Sequence, residues 1–223
     1  MIKSKTRGSL IVISGPSGAG KGTVIQNLLK KYPHYWLSVS MTSRQIRTND
    51  IPDVTYYFVS KEEFEQKIDE GYFLEYNNYV GNYYGTPKEF IYDKLDKGID
   101  VILEIEINGA SKVKDIIPEA LFIFLMPPSL KELKNRLVTR GTDSKDKIIE
   151  RFKTAYNEIN SVTKYNYVVV NDDIETATNK IESIVQAEKC RVDRIEEIYI
   201  GNIEEEIHEF LVDKEFDNTV DYE

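Results

Sequence analysis

Ser9-Leu10-Ile11-Val12-Ile13-Ser14-Gly15-Pro16-Ser17-Gly18-Ala19-Gly20-Lys21-Gly22-Thr23 is the stretch whose reading decides the fold. Its first six residues are a short β-branched apolar run, the composition of a strand buried on both faces of a parallel sheet. A glycine-rich turn follows, and Thr23 to Lys31 then carries Val24, Leu28 and Leu29 at helical spacing. Strand, loop and helix are the context in which Gly-x4-Gly-Lys binds phosphate. Here Gly22 stands where Ser or Thr is usual, and the hydroxyl comes one residue later, at Thr23. The glycines let successive N–H groups curl around a phosphate, and the helix N-terminus adds about half a positive charge. Lys21 is placed to reach the β- and γ-phosphates, and Thr23 offers a hydroxyl to a phosphate oxygen or to the metal side of the nucleotide. Residues Gly15, Pro16, Ser17, Gly18, Ala19, Gly20, Lys21, Gly22 and Thr23 are therefore the candidate ATP-binding residues. The loop says nothing about a second substrate.

Working outward, Val101-Ile102-Leu103-Glu104-Ile105 reads as another buried strand, after a helical stretch near 87–97 that Gly98 stops. Residues 120–126 and 167–170 read as two more strands. Strands alternating with helices imply a parallel sheet covered on both faces. The expected fold is an α/β core (1–37, 93–130 and 161–195) carrying two insertions. One, 38–92, holds 8 of the chain's 15 tyrosines, between Tyr56 and Tyr92. The other, 131–160, is charged and helical and contains Arg140-Gly141-Thr142-Asp143. Insertions at the carboxyl edge of the strands are where such folds carry their ligands.

The 223 residues suit one domain, or one with movable lobes. No apolar run approaches the ~20 residues of a membrane helix, and no signal-peptide pattern opens the chain; cytoplasm is the expected location. A single cysteine, Cys190, excludes an intramolecular disulfide and a cysteine-built metal site. The net charge of −9 is confined to the end of the chain: residues 191–223 hold 12 acidic and 3 basic residues, whereas 1–190 balance. The body can thus gather positive charge around phosphates, while 196–223 is a separate acidic extension. Apolar residues from Ile181 to Leu211 recur at helical spacing through 176–212, which suggests a helix that packs on the core and then on a second copy of the chain. No nucleic acid and no membrane are expected as partners.

Further blocks carry a family resemblance. They are Ser38-Val39-Ser40-Met41-Thr42-Ser43-Arg44, Tyr57-Phe58-Val59-Ser60, Gly81-Asn82-Tyr83-Tyr84-Gly85-Thr86 and Glu104-Ile105-Glu106-x-x-Gly109. Pro127-Pro128-Ser129, Arg140-Gly141-Thr142 and Val170-Asn171-Asp172-Asp173 complete the set. With the phosphate loop, and over roughly residues 6–190, the chain resembles the guanylate kinase family of nucleoside monophosphate kinases. The resemblance implies ATP-dependent phosphorylation of GMP, and of dGMP, with Mg2+ as the cofactor of ATP. It makes 38–92 the GMP-binding lobe and 131–160 the lid.

Guanine presents N1–H and N2–H2 side by side, and a carboxylate accepts both. The resemblance gives that role to Glu75, in Phe73-Leu74-Glu75-Tyr76, with Ser40, Thr86 and Glu106 as further contacts to the base; the family usually has aspartate at the last position. Arg44, Arg47, Tyr56 and Tyr84 match the positions that hold the GMP phosphate. Neighbouring strand residues face opposite ways, so Tyr57 and Tyr83 are assigned to packing. Arg136, Arg140 and Arg151 match the lid arginines. Lys21, Arg44, Arg140 and Arg151 are then the catalytic set, and Asn171 joins Arg136 and Arg140 at ATP. Glu104 and Thr23 are the candidates for the Mg2+ water shell. Two departures stand out: Arg44-Gln45-Ile46-Arg47 lacks the family's proline, and the loop 48–55 lacks its glycines. The competing functions are a non-catalytic module on the same fold and a kinase for AMP or dTMP. Such modules typically lose the phosphate loop, and a kinase for another base would not need Glu75 beside Ser40 and Thr86.

Overall fold

The computed structural model describes residues 2–4, 7–47, 50–79, 81–139 and 145–198. Arg140 and the acidic segment beyond 198 lie outside the described residues. In chain order the first elements are β1 (Ile2–Ser4), β2 (Leu10–Ser14), α1 (Lys21–Lys31), β3 (Trp36–Leu37), β4 (Met41–Thr42), β5 (Tyr57–Phe58) and α2 (Lys61–Asp69). Then come β6 (Phe73–Tyr79), β7 (Asn82–Pro87), α3 (Lys88–Asp96), β8 (Val101–Glu104), α4 (Ile107–Ile116) and β9 (Leu121–Met126). The rest are α5 (Leu130–Thr139), α6 (Lys145–Ile159), β10 (Tyr167–Val170), α7 (Ile174–Lys189) and β11 (Ile195–Ile198). The described residues fall into two compact units, one within 7–185 and one made from 2–4 and 186–198.

In the larger unit, β2 lies at the centre of a five-stranded sheet of order β10-β9-β2-β8-β3, with every pairing parallel. This is the α/β core that alternating strands and helices implied. Side chains alternate across β2. Ile11 and Ile13 join Val24, Ile25 and Leu28 of α1 and Ala177 and Ile181 of α7 on one face. Leu10 and Val12 join Ile91 and Leu95 of α3 and Val113 of α4 on the other. A strand buried on both faces has to be apolar throughout, which is why Leu10-Ile11-Val12-Ile13 carries no polar residue. The chain passes from β8 on one side of β2 to β9 on the other, so the order reverses around the strand that leads into the phosphate loop.

A second sheet has the order β5-β4-β7-β6, with β6 and β7 an antiparallel hairpin and β4 antiparallel to β7. Pairing in the hairpin slips between Phe73 and Glu75, so Leu74 is an extra residue in β6. Such a bulge re-aims the side chains beside it. Leu74 enters the core with Ile91 and Leu95, and Glu75 is set opposite Thr86. Helices α5 and α6 pack on each other through Leu133, Leu137 and Ala155.

The C-terminal reading needs a correction. Helix α7 ends at Lys189, and after a 3-10 turn at Val192–Arg194 the chain enters β11, which pairs antiparallel with β1. Glu188 accepts from Arg194 at 3.1 Å and from Arg191 at 3.5 Å, which turns the chain back on itself. The helical spacing through 195–198 is thus overridden by a strand partner supplied from the other end of the chain. Among the described residues no α-helix follows Lys189, the rest of the expected helix to 212 lies outside them, and no helix is long and apolar enough to cross a membrane.

Candidate active site

The loop between β2 and α1 runs into a helix start that no side chain caps. Gly20 sits at φ +90, and a Cβ there would lie 2.4 Å from Asn171 Nδ2, so only glycine fits. Helix α1 begins at Lys21 with no side-chain cap and no acid in its first turn. By contrast α2 is capped by Ser60, which accepts from the Glu63 N–H at 3.0 Å, and starts with Glu62 and Glu63. A helix N-terminus without a cap holds N–H groups and a positive dipole end ready for an anion. Lys21 Nζ donates to the carbonyl of Gly15 at 2.7 Å and more weakly to that of Pro16 at 3.4 Å, which keeps its charge over the loop.

Three distant residues close on the same loop. Asn171, buried after β10, donates to the Ala19 carbonyl at 2.8 Å. Arg136 of α5 donates to the carbonyls of Ala19 at 3.2 Å and Asn171 at 2.9 Å, as well as to Glu132 one turn earlier. Arg151 of α6 donates to the Ser17 hydroxyl at 2.6 Å. Beside it is a residue that sequence reasoning missed, Glu158, whose carboxylate accepts the Ser17 N–H at 3.4 Å. Burial pushes the Glu158 carboxyl up and Glu106 adds to this, while the Ser17 N–H and Lys21 draw it down. The signal was available, because Glu158 follows Arg151 by seven residues and so lies on the same face of one helix. Glu104, exposed at the end of β8, is placed next to Gly22: a Cβ on that glycine would lie 3.7 Å from Glu104 Oε1. Thr23 is exposed in the first turn of α1.

The second cluster lies on the four-stranded sheet. Glu75 is 8% exposed and Thr86 1%, and the Thr86 hydroxyl donates to Glu75 Oε1 at 2.6 Å. Burial pushes the Glu75 carboxyl above the usual glutamate range, the Thr86 hydroxyl and Lys112 draw it back, and Glu106 pushes it up again. The other carboxylate oxygen comes so close to α4 that a Cβ on Gly109 would lie 2.7 Å from it. Glu106, the residue before α4, is likewise pushed up by the protein around it and drawn down by Lys21. Ser40 is half-buried, and its carbonyl accepts from the Tyr57 N–H at 2.9 Å.

Arg44 lies over the rings of Tyr56 and Phe58, with its guanidinium carbon 5.2 and 5.5 Å from their centroids. The rings of Tyr56 and Tyr84 meet edge to face at 5.9 Å. Burial, first of all, holds the Tyr56 phenol up, so it remains a neutral donor. Arg47 is exposed. The split between neighbouring tyrosines follows strand alternation, since Tyr83 stacks on Phe64 at 5.2 Å and Tyr57 packs near Phe90 at 5.8 Å. Arg44 also forms an ion pair with Asp50, a partner that no sequence signal singled out.

The structure thus sets Lys21, Arg136 and Arg151 at the loop after β2, groups Arg44 with Tyr56 and Tyr84, and buries the Glu75 carboxylate against Thr86. Comparison with known proteins shows which family the chain belongs to. A model of the guanylate kinase family matches residues 7–188. A Clostridium tetani protein named guanylate kinase is 56% identical over 207 residues, which is 93% of this chain and 99% of that protein. A guanylate kinase of Clostridium acetobutylicum is 53% identical over the same shares of both chains. The crystal structure of guanylate kinase from Anaplasma phagocytophilum superposes with a TM-score of 0.72 at 33% identity, covering 94% of this chain and 99% of that one.

Proposed function

We propose, from the premise that this chain belongs to the guanylate kinase family and phosphorylates GMP, a division of labour among its residues. The observation that carries it is the buried Glu75 carboxylate, held by the Thr86 hydroxyl on the four-stranded sheet. An ionised carboxylate there accepts guanine N1–H and N2–H2 together, with Ser40, Thr86 and Glu106 as further contacts to the base. Arg44, Arg47, Tyr56 and Tyr84 hold the GMP phosphate, the arginines with charge and the phenols as neutral donors.

ATP supplies the phosphoryl group. Residues Gly15 to Thr23 enclose its phosphates, with Arg136, Arg140 and Asn171 alongside. A GMP phosphate oxygen attacks the γ-phosphorus in line, the bond from that phosphorus to the β–γ bridging oxygen breaks, and GDP and ADP result. The attacking oxygen is already ionised at neutral pH, so no protein base is required. Charge builds up on the equatorial oxygens of the transferred group, and Lys21, Arg44, Arg140 and Arg151 stabilise it. One exposed carboxylate and one exposed hydroxyl suit an ion that keeps most of its waters and takes other ligands from phosphate; Glu104 and Thr23 would hold Mg2+, which supplies charge neutralisation on the ATP phosphates. Such substrates place the enzyme in the cytoplasm, and dGMP is accepted because none of these roles contacts the 2′ position. A coupled ADP-release assay with GMP, dGMP, AMP, UMP and dTMP tests the reading. Turnover confined to GMP and dGMP is expected, and equal use of AMP would sink the assignment of the base pocket.

A further inference from the structure

Resting on the reading of Arg44 as a GMP phosphate ligand, we infer that Asp50 is the positioning residue that aims it. A guanidinium has five N–H donors. One Nη1–H of Arg44 goes to the Gln45 carbonyl at 2.7 Å, and the other goes to Asp50 Oδ2 at 2.7 Å. Nη2 gives one hydrogen to Asp50 Oδ1 at 3.2 Å. Two donors are left, Nε–H and the second Nη2–H, and neither has a partner among the described residues. They share one edge of the guanidinium plane, and two parallel donors on one edge are the fork that takes two phosphate oxygens. The end fork is therefore spent on Asp50 and the side fork is held open.

The restraint is stiff. Arg44 and Asp50 are only 9% and 10% exposed at their side chains, and the rings of Tyr56 and Phe58 lie near the guanidinium. Asp50 Oδ2 also accepts the main-chain N–H of Arg47 at 2.7 Å, so one carboxylate sets the side chain of one arginine and the backbone of the other. The Arg44 guanidinium and then the Arg47 N–H hold the Asp50 carboxyl below its usual range, so it stays charged. Arg44-Gln45-Ile46-Arg47 has no proline to fix its backbone, and the bonds of Asp50 to the Arg44 side chain and the Arg47 N–H supply a constraint there.

The opposite reading makes Asp50 a resident anion that GMP must displace, and the two differ in sign. A positioning role means that Asp50→Asn, which keeps the shape and loses the charge, raises KM for GMP by about tenfold. The KM for ATP should stay within about twofold and kcat fall by less than about threefold. Asp50→Glu keeps the charge on a longer stem and should restore part of the loss. Because Asp50 acts chiefly through Arg44, Asp50→Asn should cost far less when added to Arg44→Ala than it does in the wild-type enzyme. A lower KM for GMP in Asp50→Asn, an unchanged one, a matching rise in KM for ATP, or multiplying effects in the double variant each overturn the inference while leaving the phosphate site standing. If Arg44→Ala leaves KM for GMP unchanged in an enzyme that phosphorylates GMP, the phosphate-site reading falls, and this inference with it.

Discussion

Nine consecutive residues, Gly15 to Thr23, make up one proposed binding region largely from main chain, whereas the other proposed region gathers Glu75, Thr86, Ser40 and Glu106 as side chains from separate segments. The first needs little more than backbone N–H groups, one lysine and room, which glycine provides. The second needs a charge buried against its preference, with Thr86 and Gly109 arranged around it. Phosphate is the same on every nucleotide, so a region that binds it can be generic. A base is chosen by the pattern of its donors and acceptors, so the region that reads it has to be particular. Substitutions on the two sides should therefore fail in different ways.

The largest effect belongs to the generic side. Lys21→Ala should lower kcat by about 10³-fold or more with either GMP or dGMP, since the role proposed for its charge is on the transferred group. The melting temperature should hold, since Lys21 is half-buried at the start of α1 and donates to the carbonyls of Gly15 and Pro16 without filling the core. Steady-state kinetics with a thermal melt checks both. A folded variant that keeps a tenth of the wild-type rate would remove Lys21 from the chemistry.

On the particular side, Glu75→Gln should lower kcat/KM for GMP by about 100-fold and narrow the GMP/AMP ratio. A site built to bond a substrate donor rejects an analogue lacking it by roughly 10⁴-fold or more. Adenine N1 is an acceptor, and it would face the carboxylate lone pair to lone pair. An amide can rotate to donate to it, so the variant loses part of that discrimination. Measuring kcat/KM for both nucleotides on both proteins decides the matter. A GMP value within about threefold of wild type, less than ~1 kcal/mol, would show that Glu75 does not read the base.

Gly109→Ala sharpens the contrast, because stability and function should move apart. Alanine is a better helix residue than glycine by about 1 kcal/mol, so the melting temperature should not fall. The added Cβ would lie 2.7 Å from Glu75 Oε2, and the carboxylate has to shift. KM for GMP should rise about tenfold with KM for ATP unchanged. A variant with unchanged KM for GMP would mean that the position of Glu75 tolerates the shift.

The same contrast explains what could be read without a structure. The phosphate loop is local, its residues adjacent and its strand and helix on either side, so Gly15 to Thr23 and the parallel core were legible from pattern alone. Glu75 looks like any surface acid in Phe73-Leu74-Glu75-Tyr76, and only the family resemblance singled it out. Its burial depends on the extra residue at Leu74 and on the approach of α4, neither of which has a spacing to betray it. Asp50 was hidden for a similar reason, since an acid six residues from Arg44 in a loop has no periodicity to tie the two together. Glu158 could have been found from its spacing to Arg151. The strand at Ile195–Ile198 could not, because its partner is at the other end of the chain.

The smallest effect, and the one that probes electrostatics, is Thr86→Val. The change keeps the shape and removes the hydroxyl that donates to Glu75 Oε1. Burial raises the Glu75 carboxyl and the Thr86 bond lowers it, so loss of that bond moves the carboxyl further up. Only the ionised carboxylate accepts both guanine donors, so kcat/KM for GMP falls as pH drops through the Glu75 pKa of the free enzyme. In wild type that acid limb should lie above the usual glutamate range of ~4.3. In Thr86→Val it should move to higher pH. On the plateau well above the limb, the variant should lose only about three- to tenfold, the worth of roughly one hydrogen bond near 1 kcal/mol. KM for ATP should stay flat through the same range, because the Thr86 bond reaches Glu75 and not the phosphate loop. A pH profile of kcat/KM for GMP on both proteins, with Glu75→Gln as a third curve, makes the test. Two superimposed acid limbs would show that Thr86 does not tune Glu75, and an acid limb that persists in Glu75→Gln would assign the titration to Glu106, whose carboxyl is also pushed up, or to the GMP phosphate, whose second pKa is near ~6.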